Sequence, residues 1–230
     1  MTPTIDTGKL TRWYDFQAPF YRVWRNRYDA PLVARTVAIV RDGGDARRIL
    51  DAGCGTGLFS IALAGALPGS RVVGIDMSTG MLEVATAQAR DRSLANADFS
   101  RADAAGLPFD RGEFDVIVAA GLLPNVNDPA GVVGELARVV RTGGRVIVIE
   151  FDRQNMSLGL RLFFHTMILG YRCVSFVFRR FRFADNWSLR SSTIDRVDFE
   201  RSVARAGLRI LSTDALEGHL IFELGKGDSP

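Results

Sequence analysis

At 230 residues, with 47% hydrophobic and 24% charged residues, the chain has the composition of one globular domain, or of one domain carrying an insertion. A net charge of +3 and two cysteines, Cys54 and Cys173, in no paired spacing argue against a disulfide scaffold or a cysteine metal cluster and suit a reducing, cytoplasmic setting. The first ten residues lack the apolar core of a signal peptide, and only residues 225–230 read as a loose tail.

Residues 9–41 read as helical, with Trp13, Phe16, Phe20, Tyr21, Val23 and Trp24 set among arginines. Pro19 and Pro31 are expected to break this stretch into pieces. Strands and helices then alternate. Residues 48–51 form a first strand, and a helix opens at Leu58. Residues 71–76 form a second strand, followed by a helix over 78–90 and a third strand near 97–102. The fourth strand, 114–120, is nearly all apolar, as a strand buried on both faces should be. Asp128 is suited to cap a helix that has Pro129 in its first turn and reaches about Val140. Gly143-Gly144 is expected to end that helix, with a fifth strand over 145–150.

Residues 151–191 interrupt the alternation. A helix around 195–206 and strands at 208–213 and 219–224 complete the chain. The turn between those two strands is too short for a crossover helix, so they should pair antiparallel. The expected fold class is α/β: a doubly wound, seven-stranded sheet in a single domain with an antiparallel last strand. Residues 1–41 precede it as a helical segment, and a helical insertion, 151–191, follows the fifth strand.

The most informative stretch is Ile49-Leu50-Asp51-Ala52-Gly53-Cys54-Gly55-Thr56-Gly57. An apolar strand ends in an acid, and a glycine turn then feeds a helix, which brings bare backbone against a ligand. The dinucleotide fingerprint G-x-G-x-x-G/A needs Gly or Ala at position 58, where Leu58 stands. The pattern Asp-x-Gly-x-Gly-x-Gly instead resembles motif I of the class I S-adenosylmethionine (SAM) methyltransferases. That resemblance implies SAM as cofactor, with Asp51 available to attract its cationic methionine end.

In an open parallel sheet the ligand lies beyond the carboxyl ends of the strands. Gly53, Cys54, Gly55 and Gly57 form the first such turn and are candidates to contact the cofactor, the Cys54 side chain itself reading as a small space-filler. Asp76 ends the second strand, where a carboxylate can accept from both ribose hydroxyls, and Met77 can pack on the adenine. Asp103, flanked by Ala102 and Ala104, follows the third strand, and the resemblance implies that it receives the adenine amino group. Ala120 and Gly121 end the fourth strand, where the methionine moiety and methyl group lie in the superfamily. Each acid also has a plainer reading, Asp76 as a helix cap and Asp103 as a turn cap. Their order at successive strand ends favours the cofactor.

The similarity extends further. Tyr14-Asp15-Phe16-Gln17-Ala18-Pro19-Phe20-Tyr21, Val73 to Ser78, Ala102 to Phe109 and Glu113-Phe114-Asp115 are similar to segments of the ubiquinone/menaquinone-biosynthesis methyltransferases and their relatives. Arg22 stands where the first segment ends in Asp, and Gly121 to Val126 lacks the histidine many members carry there. The resemblance implies that the N-terminal helix folds over SAM as a lid. Tyr14 and Tyr21 then either line the methyl-transfer chamber or anchor an amphipathic helix.

Residues 151–191 hold seven of the fifteen phenylalanines, and Arg153 to Arg190 includes seven arginines against one acid, Asp185. Arg161, His165 and Arg172 interrupt the apolar run and argue against a membrane span. A cap over a hydrophobic or lipid substrate, a contact with an anionic membrane surface, and a core helix pair all remain open. Arg179, Arg180 and Arg182 are alternatively suited to a substrate phosphate.

Methyl transfer from a sulfonium needs alignment more than a strong base. His219 and His165 are the two histidines available to take a proton, with Asp51 and Glu150 as further candidates. The Asn/Asp-Pro-Pro-Tyr/Phe signature of amino-directed DNA enzymes is absent at Gly121-Leu122-Leu123-Pro124, so no nucleic-acid substrate is expected.

Overall fold

The computed structural model describes residues 4–28, 30–152, 195–216 and 218–227. Within them, α1 (Thr7–Tyr28) and α2 (Ala30–Asp42) lead into β1 (Arg48–Ala52), α3 (Leu58–Ala66) and β2 (Arg71–Asp76). Then follow α4 (Thr79–Asp91), β3 (Ala97–Arg101), β4 (Phe114–Ala120), a short 3-10 turn (Leu123–Asn125) and α5 (Pro129–Val139). The long β5 (Val140–Phe151), α6 (Arg196–Arg205), β6 (Leu208–Leu216) and β7 (His219–Lys226) complete the order. The insertion expected over 151–191 falls, from residue 153 on, outside the described residues, and so does His165.

The seven strands form one sheet in the order β3-β2-β1-β4-β5-β7-β6. All neighbours are parallel except β7, which runs antiparallel to both β5 and β6. The chain order reverses between β1 and β4, so the crevice beyond their carboxyl ends is the natural ligand position.

Alternation along each central strand divides the core. Leu50, Ile117 and Ala119 face one apolar layer with Val132, Leu136, Phe199 and Val203 of α5 and α6. Ile49, Val116 and Val118 face the other, with Leu32, Ile39, Phe59 and Leu63 of α2 and α3. Burial of each such large apolar side chain contributes about 1.5–3 kcal/mol. No helix among the described residues is long and apolar enough to cross a membrane.

Three local expectations change. Pro19 does not break α1, which runs on to Tyr28. A proline inside a helix forfeits one backbone hydrogen bond, here to the Asp15 carbonyl, and α1 retains its path by packing along α4, α2 and α3. Pro31 is the second residue of α2, where amide donors have no intrahelical acceptor anyway. Gly143-Gly144 does not end α5, which stops at Val139. The extended backbone begins at Val140, and the Lys226 ammonium donates to the carbonyls of Ala137 (2.7 Å) and Val140 (2.8 Å) as a cap. The two glycines instead sit in an irregular stretch of β5, where a Cβ on Gly144 would meet the Asp115 carbonyl at 2.7 Å. β6 also extends to Leu216, three residues past its expected end.

Candidate cofactor site

The turn after β1 is tied down from three directions. The Gly53 and Cys54 amides both donate to the Ile75 carbonyl of β2, at 2.8 and 2.9 Å. The Gly55 amide donates to Asp76 Oδ2 at 2.9 Å, and Gln88 Nε2 of α4 donates to the Thr56 carbonyl at 2.7 Å. Gly53, Gly55 and Gly57 all have positive φ, at 74°, 53° and 81°. The three positions differ in the room they leave for a side chain. At Gly57 a Cβ would lie 2.9 Å from Ala85 Cβ, whereas at Gly55 it would meet nothing within 4 Å. Gly55 lines an open cavity, so its bare backbone leaves room for a ligand.

That cavity lies over the carboxyl ends of β1, β2, β3 and β4. Gly53, Gly55, Asp76, Met77, Ala102, Asp103, Ala104 and Ala120 line it, together with Ile75, Ser78 and Met81. Gly121, Leu122, Asn125 and Val126 form the side after β4, and Thr7, Leu10, Thr11 and Tyr14 of α1 form the cover. Ten of the residues singled out from the sequence therefore converge: Tyr14, Gly53, Gly55, Asp76, Met77, Ala102, Asp103, Ala104, Ala120 and Gly121.

Each acid on the wall has work on the protein side as well. Asp76 accepts from the Gly55 and Ser78 amides, both at 2.9 Å, and burial still pushes its carboxyl above the ordinary aspartate value. Ser78, not Asp76, caps α4, its Oγ accepting from the Met81 amide at 3.1 Å. Asp103 accepts from the Ala105 amide at 2.9 Å, the turn cap expected of it, and also lines the cavity. A carboxylate has about four lone-pair positions, so both acids keep capacity for ligand donors.

Other candidates stand elsewhere. Asp51 is 1% exposed and off the cavity wall; its Oδ2 accepts from the Ser60 amide and hydroxyl at the start of α3. Burial raises its pKa to about 6. Cys54 is buried behind the turn, where desolvation and the nearby charges of Asp51 and Asp76 drive its thiol well up, which makes it inert as a nucleophile. Gly57 is a packing contact with α4. His219 opens β7 with its ring edge-on to Phe151 at 5.3 Å, outside the described wall. Glu150 is buried, and its Oε1 accepts from the Leu123 amide at 3.2 Å, which steadies the turn after β4. The Tyr21 side chain lies outside what the structure describes.

Sequence reasoning passed over Asp15, Asn125 and Asn127. Tyr14 Oη donates to Asn125 Oδ1 at 3.4 Å, and the Asn127 amide exchanges two hydrogen bonds with the Ile5 backbone, at 2.6 and 3.1 Å. Asp15 Oδ1 accepts from Ser78 Oγ (2.6 Å) and the Gly80 amide (2.9 Å). The available signal was the Tyr14-Asp15 pair within the family-like segment and the asparagines that follow β4.

Comparison with known proteins agrees with this geometry. Residues 50–148 match the methyltransferase domain family. Demethylmenaquinone methyltransferase of Clavibacter sepedonicus is 43% identical over 129 residues, covering 55% of this chain and 49% of that protein. The chain spans about half the length of the curated relatives it matches. Among solved structures, magnesium protoporphyrin IX methyltransferase of Synechocystis PCC 6803 with bound SAM superposes with a TM-score of 0.66 at 20% identity, over 97% of this chain and 99% of that one. The [4+2]-cyclase SpnF superposes with a TM-score of 0.72 at 18% identity, over 99% of each chain. These likenesses speak to fold alone. Fold, strand-end acids, glycine turn and sequence relatives agree: residues 50–148 match a methyltransferase domain, and the chain is similar to demethylmenaquinone methyltransferases over about half of their length.

Proposed function

We propose that the protein transfers a methyl group from SAM to a hydrophobic acceptor, and that the acceptor is a quinone-type ring. The observation that carries the reading is the cavity itself, where a side-chain-free turn at Gly55 faces Asp76 and Asp103 beneath Leu10, Tyr14 and two threonines of α1. Asp76 is positioned to accept from the ribose hydroxyls. Ile75, Met77, Ala102 and Ala104 offer apolar contact to the adenine, and Asp103 an acceptor for its amino group. Asp51, buried beneath the turn, contributes negative charge near the cationic methionine end without entering the cavity.

SAM, when bound, supplies a methyl carbon already activated by its sulfonium. The chain has to hold the acceptor in line and exclude water. Leu10, Leu122, Val126 and the Tyr14 ring suit an apolar, planar acceptor, and α1 covers the side open to solvent. The demethylmenaquinone methyltransferase names of the sequence relatives support a quinone-type substrate. The SpnF likeness is a reminder that this fold also serves other chemistry.

The test is methyl-label transfer from SAM to a reduced, prenylated demethylnaphthoquinone, run beside phosphatidylethanolamine vesicles and small phenols. Label on the naphthoquinol carbon supports the reading. Label on the amine or phenol replaces the substrate class, and SAM binding without transfer to any of them points to an acceptor outside this panel or to a non-catalytic SAM-binding protein.

A further inference from the structure

We propose that Asp15 is a positioning residue for cofactor retention, a latch that fastens the covering helix α1 to the first turn of α4. The proposal rests on the reading of the cavity as the SAM site. α1 straddles that cavity. On one side Ile5 and Tyr14 hold to Asn127 and Asn125, after β4. On the other the attachment is the Asp15 carboxylate, whose Oδ1 receives both the Ser78 hydroxyl and the Gly80 amide.

A carboxylate at a helix N-terminus satisfies a backbone donor that has no intrahelical acceptor. It is ordinarily supplied by the helix's own cap. Here Ser78 is that cap, and the acid arrives from α1, 63 residues away in sequence. A second, independent feature is shaped to this contact. A Cβ on Gly80 would stand 3.1 Å from Asp15 Cα and 3.2 Å from the Asp15 carbonyl, tighter than an ordinary contact, so a side chain there would press α1 back by a few tenths of an ångström. Ser78 Oγ thus joins two tasks, accepting from Met81 and donating to Asp15. Its own amide donates to Asp76, the acid proposed to hold the ribose. The latch and the ribose acid are therefore successive members of one hydrogen-bonded chain: Asp15, Ser78, Asp76.

Release of the cofactor through the covered side requires α1 to part from α4, and the Asp15 bonds oppose that parting. The experiment measures SAM affinity, SAM dissociation rate and proteolysis of α1 with and without SAM, in full-length wild type, Asp15→Ala, Asp15→Asn and Gly80→Ala. Asp15→Ala is expected to release SAM about tenfold faster and to lose the SAM-dependent protection of α1, since two hydrogen bonds to a charged acceptor are removed. Asp15→Asn retains an acceptor oxygen and is expected to stay within about threefold of wild type. Gly80→Ala should behave like Asp15→Ala although no polar group is lost, and it carries the test if Asp15→Ala lowers the melting temperature. Turnover at saturating SAM is expected to change less than SAM affinity. Wild-type dissociation in both Asp15→Ala and Gly80→Ala, or equal damage from Asp15→Asn and Asp15→Ala, overturns the latch. Failure of the wild type itself to bind SAM overturns the cofactor reading instead.

Discussion

Asp76, at the end of β2, accepts the Gly55 amide of the turn after β1 at 2.9 Å. One carboxylate thereby fixes the height of the glycine turn and presents its remaining lone pairs to the cavity. Asp76→Ala should abolish measurable SAM binding in calorimetric titration, because both the ribose acceptor and the tether of the turn are lost. Asp76→Asn keeps an acceptor oxygen for Gly55 and should bind weakly. Wild-type affinity in Asp76→Ala would remove the ribose site from this position.

The glycines of the turn should separate stability from binding. Gly57→Ala brings a Cβ to 2.9 Å from Ala85 at a φ of 81°, and is expected to destabilise the fold by about 2 kcal/mol or more. Gly55→Ala meets no protein atom within 4 Å and pays only for its φ of 53°, about 1 kcal/mol. Thermal melts should rank Gly57→Ala as the weaker protein, while SAM titration should find that Gly55→Ala folds yet binds poorly.

Asp51 gives a pH-dependent prediction. Its folded pKa, about 6 through burial, lies above the ordinary value of 3.8, so the native state binds the proton more tightly than the unfolded chain. Stability is then greatest below about pH 4 from this group and falls as pH rises towards 6. Above that it is depressed by a constant amount, at most about 3 kcal/mol. Asp51→Asn, which keeps an acceptor for both Ser60 donors, should melt higher than wild type at pH 7.5. That advantage should vanish by about pH 4 in the same calorimetric series. If Asp51 also attracts the methionine ammonium, the variant gains stability and loses SAM affinity together.

The loop carrying Asp103 is braced from α5. Arg138 donates to both oxygens of Glu135 and to the carbonyls of Leu107 and Phe109, all at 2.8 Å, while Glu135 accepts from the Leu107 amide at 2.8 Å. Arg138→Ala strands two loop carbonyls and should cost about 1–3 kcal/mol in denaturant unfolding. It should also weaken SAM binding through Asp103. Glu135→Ala combined with Arg138→Ala should cost less than the sum of the two, which a double-mutant cycle measures.

The sheet was legible because its signals are local: apolar runs, caps and glycine turns repeat in the order that a doubly wound sheet requires. The strand-end residues followed from the same logic, and Asp76, Asp103 and Gly55 do meet at one cavity. Asp51 was harder. Its place before the glycines marks a site by pattern, but the β-strand alternation turns its carboxylate onto Ser60 rather than into the cavity. Pro19 misled because a helix-breaking tendency of about 3 kcal/mol is smaller than what a long packed helix gains from its neighbours. Asp15 could not be assigned at all from spacing, since its partners Ser78 and Gly80 lie across the fold. Only the approach of two helices at a glycine reveals them.

The most direct test is a crystal structure of the protein with S-adenosylhomocysteine. We expect the ribose hydroxyls on Asp76, the adenine between Met77 and Ala104 with its amino group at Asp103, and α1 lying over the ligand with Asp15 on Ser78. A ligand bound away from the Gly53–Gly57 turn, or a ribose that does not reach Asp76, would contradict the account.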